Sequence, residues 1–236
     1  MTSSEGLFMT VPTAGTRHDL LTNLVEESGL PRDRIVIVST RSGIRVPEGC
    51  LVIEDFGSVN IHRWWNAGIS AAVERGATAV AVSNDDVVIR PSTLPALYEA
   101  LTGSGATIAS PSRAGLRHGL HRRRLVPYSP VLWGCLWMIN TQAGLRPDAR
   151  YSWWYGDNDL DIRARRDFSG IVSVDCYFQH ELPGEHTGVS DELRQLSEVD
   201  QRTYEQDHGQ LLWKSHWVNK VRRLLPRSTK FTTDNP

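Results

Sequence analysis

Apolar positions along the first half of the chain fall into short runs separated by stretches of helical spacing. Residues 7–11 form a compact apolar run ended by Pro12. Residues 17–28 carry Leu20, Leu21, Leu24 and Val25 three and four apart, the pattern of a helix with one buried face, and Gly29-Leu30-Pro31 stops it. Residues 34–38 predict a buried strand, 51–53 a short third strand and 77–82 a fourth. Residues 60–75 predict a helix packed through Trp64, Ala67, Gly68, Ala71 and Ala72. Another helix is expected over 91–102, with a proline at its opening where the missing N–H is harmless, and a strand over 106–109.

Strands alternating with helices predict an α/β fold, a mostly parallel central sheet with helices on both faces. Ligands of such sheets sit beyond the carboxyl ends of the strands, where strand order reverses. Polar residues directly after strands are therefore the first candidates for function.

The second half reads differently. Residues 111–130 lack periodicity and predict a long excursion. An apolar, Trp-containing strand is expected over 131–140, a helix over 157–166 and a last strand over 171–174. Residues 190–208 predict a polar helix, 211–225 an amphipathic basic one, and 226–236 a tail.

Composition narrows the class. Apolar residues at 40% and charged residues at 22% are ordinary globular usage, which excludes a disordered or coiled-coil chain. Lys plus Arg number 26 against 27 Asp plus Glu, so the basic excess of a dedicated nucleic-acid binder is missing. Cys50, Cys135 and Cys176 are scattered without metal-type spacing and read as reduced thiols. With no apolar run of membrane-spanning length and no visible signal peptide, the expectation is a soluble, cytoplasmic protein.

Candidate chemistry concentrates in acidic clusters. Asn84-Asp85-Asp86 follows the fourth strand, and adjacent carboxylates there call for a divalent cation or a solvated turn. Gly156-Asp157-Asn158-Asp159-Leu160-Asp161 opens a helix; one Asp can cap it, and one can serve as a general base. His180 and His186 lie in an irregular segment and can complete a metal shell or be structural. Trp64-Trp65 and Trp153-Trp154-Tyr155 can pack in the core or stack on a sugar or base. The basic run 117–124 reads as a solvated loop or as a lid over a diphosphate. Trp213 and Trp217, interleaved with Lys and Arg, can pack on the domain, pair in a homodimer through the C-terminal helix, or lie on a membrane surface.

Taken together, these pieces resemble the family 2 glycosyltransferases, which have the GT-A fold of the nucleotide-diphospho-sugar transferases. The resemblance spans residues 6–190. Residues 11–17, Val-Pro-Thr-Ala-Gly-Thr-Arg, are similar to that family's first strand and base-holding loop. Asn66-Ala67-Gly68-Ile69, followed by Ala71-Ala72, is similar to its Asn-x-Gly helix. Asn84-Asp85-Asp86 resembles its Asp-x-Asp motif, with Asn in the first place. Asp157-Asn158-Asp159-Leu160 through Arg163 resembles its Glu-Asp-x-Asp-Leu-x-x-Arg motif, with Gly156 where the family has Glu. His180 falls near the family's His after the following strand.

The resemblance implies a hexosyltransferase-like enzyme with a GT-A domain over 1–190, nucleotide-binding to residue 110 and acceptor-binding from 111, and a C-terminal helical extension over 191–236. It implies a UDP-, GDP- or dTDP-linked sugar donor, a protein, glycan or lipid-linked acceptor, and Mn²⁺ or Mg²⁺ held by Asp86 with His180 or His186. Asp157 then corresponds to the base of inverting members. Donor contacts would come from Pro12, Thr13, Arg17, Ser39, Arg41, Asn66, Asn84, Asp85 and Trp154. Asp55 stands in for an Asp that the family has after the second strand, where this chain has Ser39-Thr40-Arg41. Two rival readings are a sugar nucleotidyltransferase, disfavoured by the short, Gly-poor loop 13–17, and a catalytically silent binding module, suggested by Gly156 and Asn84.

Overall fold

The computed structural model describes residues 4–113, 116–181 and 191–224. In chain order, β1 (Leu7–Thr13) leads to α1 (His18–Glu27), β2 (Ile35–Ser39) and β3 (Leu51–Glu54). Then come α2 (Ile61–Val73), β4 (Ala79–Ser83), β5 (Val87–Ile89) and α3 (Thr93–Ser104). β6 (Ile108–Pro111), β7 (Gly119–His121), β8 (Leu136–Asn140) and α4 (Gly156–Asp167) follow, and β9 (Ile171–Val174), β10 (Phe178–His180) and α5 (Asp191–Leu224) complete the fold.

Among the described residues, eight strands form one sheet in the order β3-β2-β1-β4-β8-β6-β9-β7. The expected mostly parallel α/β sheet is present: β1, β2, β3 and β4 are parallel, as are β6 and β9, while β8 and β7 run antiparallel to their neighbours. Chain order reverses between β1 and β4, so the crevice beyond their carboxyl ends is the place where such a sheet takes a ligand.

Strand alternation divides the core between the two faces. On one face Met9, Ala81 and Met138 pack with Leu21 and Leu24 of α1 and Leu94 and Leu97 of α3. On the other, Phe8, Val80 and Trp137 pack with Trp65, Ile69 and Ala72 of α2 and Leu160 and Ala164 of α4. Each fully buried Leu, Ile or Met contributes about 1.5–3 kcal/mol. Gly68 lets α2 lie directly on β1, since a Cβ there would stand 1.7 Å from Thr10 Oγ1.

Three expectations change. The strand expected over 131–140 begins only at Leu136. The reason is Asp161, whose Oδ2 takes the N–H groups of Val131 (2.6 Å) and Leu132 (2.9 Å) away from a sheet partner. The excursion at 111–130 contains β7, an edge strand on β9, and within it Arg122 Nε donates to the Ser169 carbonyl (2.7 Å). No residue of the basic run lines the cleft described below, so the diphosphate-lid reading is not supported. Finally, the two C-terminal helices are one, continuous through Gly209-Gln210.

α5 is fastened to the body by polar groups. Asp200 accepts the N–H groups of Ser152, Trp153 and Trp154 (2.9, 2.8 and 2.8 Å). His208 Nε2 meets Asp159 Oδ1 at 3.0 Å, and Tyr204 stacks on Tyr155. Tyr155 adopts the left-handed backbone (φ 61°), a conformation costing about 1 kcal/mol, and the stacking and the Asp200 bonds hold it there. No helix among the described residues is long and apolar enough to cross a membrane.

Candidate active site

A cleft of about 450 Å³ opens beyond the carboxyl ends of β1 and β4. Pro12, Thr13 and Arg17 form one side, Thr40 and Arg41 continue it, and Asn84, Asp85 and Asp86 occupy the floor with His180 beside them. Trp64, Trp65 and Trp153 make an apolar wall, joined by Leu193 from the first turn of α5.

The floor is a tight turn between β4 and β5 whose carboxylates are held from three directions. Thr13 Oγ1 donates to Asp85 Oδ2 (2.6 Å) and accepts from Gly15 N (2.9 Å). Arg17 Nη1 lies 2.5 Å from Asp86 Oδ2 and 3.7 Å from Asp85 Oδ1. His180 arrives through the antiparallel pair β5–β10, in which it faces Val87, the residue after Asp86. Its Nε2 stands 3.2 Å from Asp86 Oδ1. Burial opposes ionisation of Asp86, but His180 and Arg17 outweigh it and hold the carboxyl below the usual carboxylate range.

The donor set suits a hard divalent cation. Asp86 Oδ1 and Asn84 Oδ1 are both buried without an aligned hydrogen-bond donor, and His180 Nε2 adjoins the first. Oxygen and imidazole donors from three residues that line one cleft are ligand types that Mn²⁺ or Mg²⁺ accepts. A second Asp/His group, Asp159, Asp207 and His208, lies between α4 and α5. There Asp159 is already neutralised by Arg163 (2.7 Å) and paired with His208, so that group reads as a clasp.

The three carboxylates at the start of α4 separate by partner. Asp161, fully buried, pairs with Arg165 (2.9 Å), and Asp159 pairs with Arg163 and His208. Asp157 accepts the N–H of Asn158 (2.9 Å) and feels Arg113 at longer range. Burial pushes its carboxyl above the usual range. Asp157 sits behind Gly134: a Cβ at 134 would stand 2.9 Å from Asp157 Oδ2, and Gly134 lines the cleft. The next residue, Cys135, accepts the N–H of Asn84 (2.9 Å) through its carbonyl. The segment Gly134-Cys135 thus meets Asn84 of the floor through Cys135 and Asp157 through Gly134.

Gly156 has a local reason. A side chain there would begin 2.1 Å from Nε2 of His62, a buried ring whose Nδ1 bonds the Tyr151 carbonyl at 2.9 Å. The ring fills the space that a Glu would need.

Other candidates fall off the cleft lining. Ser39 Oγ donates to the Arg41 carbonyl (2.6 Å) and shapes that loop from below. Asp55 makes a two-point pair with Arg63 (3.0 and 2.8 Å) and does not line the cleft. Asn66 points its amide at the Pro147 carbonyl (2.8 Å). Trp154 is tied through its backbone to Asp200, and Trp153 takes the wall position, edge-on to Trp64 at 6.5 Å. His186 lies outside the described residues. Trp153 belongs to an aromatic group read from the sequence as able to stack on a sugar or base, whereas Gly134 and Leu193 were not legible as lining.

Solved structures share the fold of this chain. Residues 1–349 of TarS from S. aureus in complex with UDP match with a TM-score of 0.53 at 11% identity, over 86% of this chain and 72% of that one. The mannosyltransferase PcManGT from Pyrobaculum calidifontis, in complex with GDP-Man and Mn²⁺, matches with a TM-score of 0.53 at 14% identity, over 74% and 56%. No protein-family model matches the chain, and no curated protein matches its sequence. At these identities the likeness establishes the fold, which is GT-A-like and shared with glycosyltransferases.

Proposed function

We propose that this chain transfers a sugar from a nucleoside-diphosphate donor to an acceptor hydroxyl with inversion, as the family 2 glycosyltransferases do. The observation that supports the reading is that Asp157, although it does not itself line the cleft, lies directly behind Gly134, a lining residue of the cleft whose floor holds Asp86, Arg17 and His180.

The donor enters beside Pro12, Thr13, Thr40 and Arg41, with its sugar toward Trp64 and Trp153, whose apolar faces suit a pyranose ring. UDP and GDP-mannose, bound by the two similar structures, are the first donors to test. Asn84, Asp86 and His180 would hold a Mn²⁺ or Mg²⁺, whose charge would offset that of the diphosphate. Arg17 adds a fixed positive group at the same place and can turn from Asp86 to a phosphate oxygen without leaving the floor. Asp157 takes the proton of the acceptor hydroxyl, and its raised affinity for protons makes it a better base than an exposed Asp. Residues up to 110 supply most of the donor contacts, and 111–190 supply the base.

The test is thermal stabilisation. UDP- and GDP-sugars with Mn²⁺ should raise the melting temperature of the wild-type chain, because a ligand selective for the native state stabilises it by mass action. Asp86→Ala should lose the shift. No stabilisation by any nucleotide sugar, with or without metal, would contradict the proposal. Pyrophosphate release from a nucleoside triphosphate and a sugar phosphate would instead assign a nucleotidyltransferase.

A further inference from the structure

We infer that the outer face of α5 around Trp213 and Trp217 docks on an anionic lipid surface. These two residues are 70% and 60% exposed, the most exposed large apolar side chains described. They lie one helical turn apart, and Trp213, His216, Trp217 and Lys220 recur at three- and four-residue spacing, which places them on one stripe. All four, with Lys214 beside them, are exposed.

The opposite side of the same segment is already used. Leu211 and Leu212 pack on the cluster of Leu125, Tyr151, Ile162 and Tyr204. Ser215 is buried and accepts the N–H of Tyr128 (2.6 Å). The tryptophan stripe therefore faces away from the body and has no role in holding the helix to it.

Charge selects the occupant. The chain as a whole carries −1, yet no Asp or Glu occurs from His208 to Thr233, while Lys214, Lys220, Arg222, Arg223, Arg227 and Lys230 all fall there. Indole rings flanked by lysines suit the headgroup level of a bilayer, where the ring is half-solvated and the ammonium groups meet lipid phosphates. The surface is a solvent-facing helix stripe with cations beside it, and the described part of α5 is too polar to insert as a span. Docking of this kind does not depend on the reading of the cleft.

The experiment is flotation of the full chain with phosphatidylcholine vesicles and with vesicles enriched in phosphatidylglycerol. The chain should float with the anionic vesicles and not with the neutral ones, and high salt should release it. Trp213→Ser with Trp217→Ser, and separately Lys214→Glu with Lys220→Glu, should each lower the bound fraction by about tenfold or more while leaving the melting temperature and nucleotide binding unchanged. No flotation with anionic vesicles, or flotation indifferent to both pairs of substitutions, would overturn the inference. So would a stable dimer by light scattering that the tryptophan substitutions dissolve without any lipid binding, since the stripe would then belong to a second copy.

Discussion

Arg17, in the loop after β1, and Asp86, in the turn after β4, meet at 2.5 Å across the floor of the cleft. Neither loop is regular structure, yet both hang from adjacent parallel strands, so the sheet itself fixes their separation. The pair is largely enclosed, with side chains 10% and 7% exposed. Removing one partner of such a pair leaves a poorly solvated charge, a loss of about 3 kcal/mol in comparable cases. Arg17→Gln should therefore lower the melting temperature, and Mn²⁺ should restore more of the stability in this variant than it adds to the wild type. Thermal melts with and without Mn²⁺ check both statements.

Gly134→Ala should separate binding from turnover. The new methyl would stand 2.9 Å from Asp157 Oδ2, so the carboxylate must move. Transfer should fall by about tenfold or more, as expected when a general base loses its alignment, while nucleotide affinity stays near wild type. Steady-state kinetics and calorimetric titration with UDP or GDP provide the comparison.

Asp157 and Asp161 should respond oppositely to neutralisation. Asp157 has its carboxyl raised by burial, so its charge opposes folding as pH climbs from the ordinary carboxylate range through the raised value. Asp157→Asn removes that penalty, and the variant should be as stable as wild type or more so at neutral pH. Asp161→Asn weakens the bond to Arg165 and one acceptor for two backbone N–H groups, at a cost of about 3 kcal/mol or more. Urea unfolding of the two variants side by side reads the contrast.

His62 gives a pH signature. Burial lowers its pKa to about 4, so the folded chain keeps the ring neutral while the unfolded chain protonates it near 6.5. For a depressed histidine the stability is complete above the unfolded value and is lost as pH falls from 6.5 through about 4. The loss across that window is about 3 kcal/mol. His62→Asn, which retains a donor for the Tyr151 carbonyl, should flatten this slope in denaturant titrations at pH 7 and pH 4.5.

The legibility of this chain in its sequence follows physical lines. α1, α2, β2 and β4 were readable because a two-layered core imposes regular spacing on the residues that fill it. β5 and β10 were not, since three-residue strands pair through backbone groups that leave no pattern; yet that pairing is what carries His180 to Asp86. Asp85, Asp86 and Asp157 were legible as acidic clusters following or preceding elements. The pairing of Asp159 and Asp161 with Arg163 and Arg165 follows from their four-residue spacing on α4, and only the reach of His208 to Asp159 from the far end of the chain left no local pattern. The pairing of Asp55 with Arg63, eight residues on in the first turn of α2, left no pattern in the sequence either.

The central claim is that Asp157 removes the acceptor proton while the opposite floor holds the diphosphate. It is tested most directly by comparing Asp157→Asn with wild type in a transfer assay and in nucleotide binding. Transfer should drop by about 10²-fold or more, the scale of a lost general base, with the nucleotide dissociation constant unchanged within a few-fold. Full turnover by the Asn variant, with an intact fold and intact binding, would contradict it.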